Sequence, residues 1–172
     1  MLYLGLLALG IASFYFVSCK VSAMREAEEE YRAVYAMLLH IRGALSSGGG
    51  ALCEIVKSFR SDVLEKSRML SCLASDPMDK SVFERDASER AFFRDKLFDI
   101  DLMMDKTDSE KLIKYLSSYG KNYLEEEKKK LDEIIAYFAS RSDTVVEKNE
   151  KNIKVIRTMF AFFYVGIVIL LV

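Results

Sequence analysis

The chain has 172 residues, which is enough for one domain, and its formal net charge is −1. This near-neutral charge gives no reason to expect the basic patch that normally marks a nucleic-acid-binding protein, so no nucleic acid partner is expected. The charge is unevenly placed, because all 25 basic and 26 acidic residues lie between positions 20 and 157. Both ends of the chain are therefore wholly uncharged.

The uncharged ends predict two transmembrane helices. Residues 1–19 form an apolar run that is about 28 Å long as a helix, close to the roughly 30 Å core of a bilayer. Residues 153–172 reach about 30 Å if the long side chains of Lys154 and Arg157 extend back to the headgroups. A soluble hairpin core is the alternative for the second run. A processed lipoprotein signal is the alternative for the first, but its basic start is missing.

Basic residues beside the two spans predict the topology, because cytoplasmic flanks are enriched in lysine and arginine. Lys20 and Arg25 follow the first span, and Lys154 and Arg157 lie at the start of the second. All four lie toward the central segment, residues 20–152. This segment is therefore expected to be cytoplasmic in a two-pass cell-membrane protein, with both termini facing outward.

Between the ends, apolar residues recur at helical spacing, and alternation typical of a strand never lasts six residues. The first helix is expected to run unbroken to about Ser46. The turn that ends it is marked by Gly48, Gly49 and Gly50. Further helices are predicted at about residues 51–60, 62–75, 78–87, 88–104, 107–119 and 121–171.

Particular residues mark the ends of the later helices. Thr107 and Glu110 match a capping box, which predicts a helix start with Thr107 as N-cap. Gly120 predicts a left-handed helix end. The last helix shows an apolar residue every seven positions, at Leu124, Leu131, Phe138 and Val145. The polar residues 139–152 are predicted to form a stalk that leads into the second span.

No motif predicts an enzyme, and no catalytic, cofactor or metal residue is nominated. The glycines at 48–50 lack the Gly-Lys-Ser/Thr of a phosphate loop, and no strand precedes them. Asp99 and Asp101 lack the next ligand and the glycine of a calcium loop. His40 is the only histidine and lies in an apolar helical stripe, so we expect a structural role for it.

The remaining reactive side chains are also expected to be structural. The acidic runs at residues 28–30 and 125–127 are predicted to lie on charged helix faces, the second favoured by its position near a helix start. Met103 and Met104 are expected in the core. An odd number of cysteines without a C-x-x-C pair predicts reduced, mostly buried thiols at Cys19, Cys53 and Cys72.

The order of these segments resembles the stage III sporulation protein AB family of spore-forming Firmicutes. The shared pattern begins with an N-terminal span, an amphipathic helix and a Leu-x-Glu-Ile segment at residues 52–55. It continues with a Leu-Ser-Ser-x-Gly helix end at 116–120 and a Glu/Lys-rich helix. Residues 148–157 then lead into a terminal span. The resemblance covers nearly the full length through the order and spacing of its parts.

The resemblance implies an all-α fold, with a bundle of about six helices between terminal transmembrane helices, like the cytoplasmic domain of type II secretion F proteins. It further implies a non-enzymatic platform subunit of the channel between mother cell and forespore, with its central domain on the mother-cell side. The implied partners are membrane lipid, a secretion-type ATPase like stage III sporulation protein AA, and other channel subunits in an oligomer or complex.

A second class of function stays open, namely a membrane-anchored helical regulatory or sensor module unrelated to sporulation. Such a sensor normally places its ligand-binding domain outside the cell and carries an output domain. The basic flanks instead predict an internal domain, and the sequence leaves no segment for an output domain.

Overall fold

The computed structural model describes residues 2–48, 50–75, 95–100, 102–120 and 123–171. All regular structure in these residues is helical, which confirms the prediction of an all-α fold. A single helical turn forms at residues 95–98. The other helices are α1 (Leu2–Ser46), α2 (Leu52–Ser58), α3 (Asp62–Lys66), α4 (Met69–Ala74), α5 (Lys106–Ser118) and α6 (Leu124–Leu171).

The first and last helices are the longest, at 45 and 48 residues. The predictions of an unbroken first helix to about Ser46 and of one long C-terminal helix are confirmed. Three acidic residues, 125–127, occupy the first turn of α6, where the helix dipole favours negative charge. Within the described part of the chain, no helix combines the length and the apolar character needed to cross a membrane.

The chain forms two compact units. We call Met1–Glu28 together with Asp143–Val172 the terminal unit, and Glu29–Ser142 the central unit. In the terminal unit, one segment of α1 and one of α6 run antiparallel. Phe14 packs against Phe160, Met24 is hydrogen-bonded to Asn149, and a β-carbon placed on Gly10 would lie 3.7 Å from the Tyr164 ring. Because the partner's number falls as the α1 number rises, these contacts define a continuous antiparallel register.

The terminal contacts are both apolar and polar. The ring centroids of Phe14 and Phe160 lie 6.4 Å apart. Nearer the charged part of the chain, the Asn149 side-chain amide donates a hydrogen bond of 3.0 Å to the Met24 carbonyl oxygen. An amide bound to a helix carbonyl fixes the register more sharply than ring packing does, because hydrogen bonds tolerate little misalignment.

The central unit has a closely packed apolar core. Tyr31 of α1 faces Phe138 of α6 with ring centroids 6.4 Å apart, and Arg42 of α1 pairs with Asp132 of α6, so these segments are also antiparallel. The short helices α2 and α3 both pack on α4. Side chains that are almost fully buried come from α1, from α6 and from the shorter helices between them, among them Val34, Leu38, Leu52, Leu64, Leu73, Leu112, Leu116, Leu131 and Phe138.

The predicted single helix at 62–75 is wrong, because the structure has two helices there. α3 ends at Lys66, and Arg68 adopts a left-handed conformation with φ 62° before α4 begins. On one straight helix, Leu64 and Leu73 would point about 180° apart, at 100° per residue. Both are buried, so the break allows both to face the same core.

The predicted helix at 88–104 is wrong at its end, since residues 102–105 are not helical. The backbone amide of Met104 donates to Glu30 Oε2 at 2.9 Å, and that of Asp105 donates to the Tyr31 hydroxyl at 3.1 Å. Side chains of α1 thus replace the helical carbonyl partners. The predicted helix at 78–87 lies outside the described residues.

The start of α5 also differs from the prediction. The N-cap is Asp105, whose carboxylate accepts from the Thr107 amide at 3.3 Å, and not Thr107 itself. The helix starts earlier because α1 already holds the backbone at Asp105. In α6, Leu131 and Phe138 of the seven-residue repeat are fully buried, whereas Leu124 is exposed.

Candidate functional site

The four basic residues predicted to flank the membrane anchors all lie in the terminal unit with exposed side chains. Lys20 and Arg25 are on α1, and Lys154 and Arg157 are on α6. The antiparallel register set by the flanking contacts places Lys20 at the level of Lys154. Basic residues far apart in sequence are therefore brought to one level of the helix pair.

The terminal unit also exposes many large apolar side chains. Phe162 is 74% exposed, and Tyr15 is 71% exposed. Others on the same two segments include Ile11, Phe14, Phe16, Val155, Met159, Phe163, Tyr164 and Val165. Single exposed apolar residues are normal, but a dense group on one unit marks an interaction surface for protein or membrane.

The glycines predicted at helix ends lie in turns after α1 and α5. Gly48 has φ 124° and Gly120 has φ 79°, conformations that residues with a β-carbon rarely adopt. Gly50 lies just before α2, where a β-carbon would meet Ile55 at 3.7 Å. Gly49 lies outside the described residues.

A polar cluster centred on the buried Asp108 joins three helices of the central unit. We call Tyr31, Asp105, Asp108, Tyr137 and Arg141 the Asp108 cluster. The hydroxyls of Tyr31 and Tyr137 donate to the two carboxylate oxygens of Asp108. Arg141 donates through Nε to Asp108 at 2.7 Å and through Nη2 to Asp105 at 3.2 Å. Asp108 is only 1% exposed, and it receives hydrogen bonds from α1 and α6.

The cluster keeps Asp108 ionised. Burial by itself raises the pKa of this carboxyl, but hydrogen bonds from Arg141, Tyr137 and Tyr31 together hold the pKa below its ordinary value. Burial and the hydrogen bond to Asp108 raise the pKa of Tyr31 to about 12. At neutral pH, the Asp108 carboxylate is therefore ionised and the hydroxyls of Tyr31 and Tyr137 keep their protons. Each of these polar groups then has a hydrogen-bond partner.

The geometry makes the Asp108 cluster a clamp between helices and a poor acid–base site. Each oxygen of Asp108 already accepts from a tyrosine, and the lowered pKa leaves it a weak base. The ring of Tyr137 is further covered by the Lys111 ammonium, whose nitrogen lies 3.3 Å from the ring centroid. The cluster fixes how α1, α5 and α6 pack.

Two acidic residues are buried, contrary to the prediction that their runs lie on charged faces. Glu30 accepts from the Met104 amide, and Glu127 is 3% exposed. Burial of the Tyr119 hydroxyl, and to a lesser extent the negative charge of Glu127, raise the pKa of Tyr119 to about 12. Both glutamates lie on the apolar stripes of their helices, because Val34 follows Glu30 and Leu131 follows Glu127 by four positions.

His40 has structural contacts, as expected. Its Nε2 lies 2.8 Å from Ser58 Oγ and 3.2 Å from the Ile55 carbonyl oxygen at the end of α2, and its ring packs against Phe59. Ser58 Oγ itself donates to the Ile55 oxygen at 2.7 Å. These contacts hold the imidazole ring against α2.

Possible metal ligands and cysteine thiols are the remaining reactive groups of the described ranges. Within them, no three His, Cys, Asp or Glu side chains are grouped to hold a metal ion. None of the three cysteines of the described residues forms a disulfide, and Cys53 and Cys72 are buried whereas Cys19 is exposed. Met104 is buried as expected, whereas Met103 is exposed.

Sequence reasoning missed the role of Asp108, which it treated as part of a capping segment. A signal existed, because Leu112 and Tyr115 follow Asp108 by four and seven positions and all three are buried on α5. An acid on an apolar stripe requires buried partners. Tyr137 and Arg141, four residues apart on α6, supply them.

Comparisons of the chain with family models, curated proteins and solved structures return no match.

Proposed function

We propose that the chain is a non-enzymatic, membrane-attached platform protein whose central unit presents helical surfaces to cytoplasmic partners. The observation that carries this proposal is the terminal unit. Its two antiparallel helix segments leave large aromatic and aliphatic side chains such as Tyr15 and Phe162 mostly exposed. Apolar surface removed from water gains roughly 25 cal/mol per Å², so a bilayer is a favourable environment for this unit.

The proposed topology is two-pass, with residues 1–19 and 153–172 in the membrane, residues 20–152 cytoplasmic and both termini outward. The exposed basic side chains of Lys20, Arg25, Lys154 and Arg157 support it, because lysine and arginine favour the cytoplasmic side. Carbonate extraction of host membranes should leave the chain in the pellet. Protease added to intact cells should leave the central segment uncut.

The pathway proposed is the channel between mother cell and forespore, and it rests on the resemblance in segment order. In that setting, the central domain is a bundle like that of type II secretion F proteins. It docks a secretion-type ATPase like stage III sporulation protein AA and contacts other channel subunits. The lack of an enzymatic role is supported by Asp108 and His40, whose polar atoms are engaged in structural contacts.

Deletion of the gene in its host tests this pathway. We expect a loss of heat-resistant spores with unchanged vegetative growth, restored by a wild-type copy. The tagged chain should also retain the ATPase when it is purified from sporulating cells in neutral detergent. Normal sporulation of the deletion strain would contradict the assignment.

The protease experiment also separates the proposal from the sensor alternative. Cleavage of the central segment in intact cells would place the helical domain outside, which is where a sensor normally holds its ligand-binding domain. That result would favour the regulatory module and contradict a cytoplasmic ATPase as partner.

A further inference from the structure

The order of charges along the terminal unit is one-sided. Counting inward from the N-terminus, the first charged residues are Lys20 and Arg25. Counting inward from the C-terminus, they are Arg157, Lys154 and Lys151. The first acids are Glu26 and Glu150. Five cations therefore separate the uncharged ends from any carboxylate.

The structure brings these two series together. Contacts between Phe14 and Phe160 and between Met24 and Asn149 bracket the positions between them. In this register, Lys20 lies level with Lys154, and Arg157 lies about 4.5 Å, or less than one helical turn, further along the axis at 1.5 Å rise per residue. A layer of positive charge thus directly adjoins the exposed apolar side chains.

These cations are also available for a ligand. Within the described residues, Lys20, Lys154 and Arg157 are exposed and form no ion pair, whereas Lys151 pairs with Glu147 at 2.6 Å. An exposed cation beside apolar surface gains favourable electrostatic free energy when an anionic headgroup lies next to it. The exposed apolar side chains of the terminal unit match the acyl chains of a phospholipid, and the neighbouring cations match the phosphate of its headgroup.

We infer that the terminal unit binds anionic phospholipids, with Lys20, Lys154 and Arg157 contacting the headgroup phosphates. The inference rests on the proposed membrane attachment and adds a lipid class to it. Basic residues beside a membrane favour anionic over zwitterionic lipid by roughly fivefold each. An acidic protein surface would satisfy the charges but would leave the neighbouring Met159 and Phe162 without an apolar environment.

Lipid retention by the full chain tests the inference. The chain is purified in a neutral detergent and mixed with equal amounts of phosphatidylglycerol and phosphatidylcholine. Native mass spectrometry then counts how many molecules of each lipid remain bound to the chain. We expect phosphatidylglycerol to exceed phosphatidylcholine at least tenfold at low salt. Substituting K154Q and R157Q together should reduce this ratio to near unity, because two of the three proposed phosphate contacts are lost.

The matched control is the double substitution K129Q and K130Q, which removes two exposed lysines of the central unit. It should leave the lipid ratio unchanged. An equal loss in both double variants, or equal retention of both lipids by the unchanged chain, would overturn the inference.

A second measurement keeps this inference separate from membrane attachment. The unchanged chain is floated on vesicles of pure phosphatidylcholine. Flotation combined with equal retention of the two lipids would overturn only the lipid preference. Failure to float on neutral and on anionic vesicles would overturn membrane attachment and the lipid preference with it.

Discussion

The terminal and central units use the same two helices and the same antiparallel pairing, yet they treat apolar side chains in opposite ways. Phe138 of α6 is fully buried in the central unit, whereas Phe162 of the same helix is 74% exposed in the terminal unit. The central unit adds α2, α4 and α5 to the pair, and their apolar side chains complete a core. Two helices alone leave most of each helix surface uncovered, so the apolar side chains on that surface stay exposed.

The polar groups differ in the same sense. In the central unit, charge is buried and paired, as in Asp108 with Arg141. In the terminal unit, the basic side chains of Lys154 and Arg157 stay exposed beside apolar ones. The comparison teaches that the central unit covers its apolar side chains and Asp108 with its own helices, whereas the terminal unit leaves many apolar and basic side chains exposed, which is the basis of the proposed membrane attachment.

The largest expected effect comes from one substitution made in both units. Phe138→Ala should lower the free energy of unfolding by about 3–5 kcal/mol, because it leaves a cavity in a packed core. Phe162→Ala should change it by about 0.5 kcal/mol or less and should instead reduce flotation on vesicles. Urea unfolding of the chain in neutral detergent measures the first quantity. Equal destabilisation by the two variants would break the distinction between the units.

The next effect compares two aspartate–arginine pairs of similar length within the central unit. Arg141 Nε lies 2.7 Å from the buried Asp108, and Arg42 Nε lies 2.8 Å from the exposed Asp132. Asp108→Ala should cost about 2–4 kcal/mol, because two tyrosine hydroxyls and the guanidinium lose their acceptor. Asp132→Ala should cost about 1 kcal/mol or less.

Urea unfolding of both aspartate variants checks this difference. A small loss for Asp108→Ala, similar to that for Asp132→Ala, would show that the buried cluster does not clamp the helices. Each variant removes one negative charge, so the change in net charge cannot account for a difference in stability between them.

An intermediate effect is the acid sensitivity that Asp108 gives to the central unit. Its folded-state pKa lies below the unfolded value of about 3.9, so its stabilisation is complete above that value and is lost as pH falls through the folded pKa. Below about pH 4, the unchanged chain should lose up to about 1.4 kcal/mol per pH unit more than Asp108→Asn. Unfolding curves at a series of pH values from 7 to 3 measure this. Parallel losses in the two proteins would contradict the role of the carboxylate.

The last comparison separates backbone conformation from side-chain packing in the central unit. A β-carbon at Gly43 or at Gly48 meets nothing within 4 Å, but only Gly48 has a positive φ, of 124°. Gly48→Ala should therefore destabilise by about 1–2 kcal/mol through backbone strain. Gly43→Ala should stabilise α1 by up to about 1 kcal/mol. Thermal unfolding of both variants gives the sign, and the same sign for both would contradict the assigned turn.

Sequence patterns predicted elements well where the controlling interactions are local. The unbroken α1 and the length of α6 follow from helical periodicity without strong breakers, and the stop near Ser46 follows from the glycines after it. Prediction failed where distant groups decide the backbone. The chain at Met104 and Asp105 leaves the helix because Glu30 and Tyr31, more than 70 positions away, accept its amide protons.

The sequence by itself determined the all-helical class, the two long helices and the apolar ends bordered only by cations, because periodicity and charge order are properties of neighbouring residues. Only the tertiary structure decided which polar residues are buried. Tyr31 and Asp108 lie 77 positions apart, and their contact depends on how α1, α5 and α6 pack. A buried carboxylate is stable only where donors from other helices converge on it, and no local pattern records that convergence.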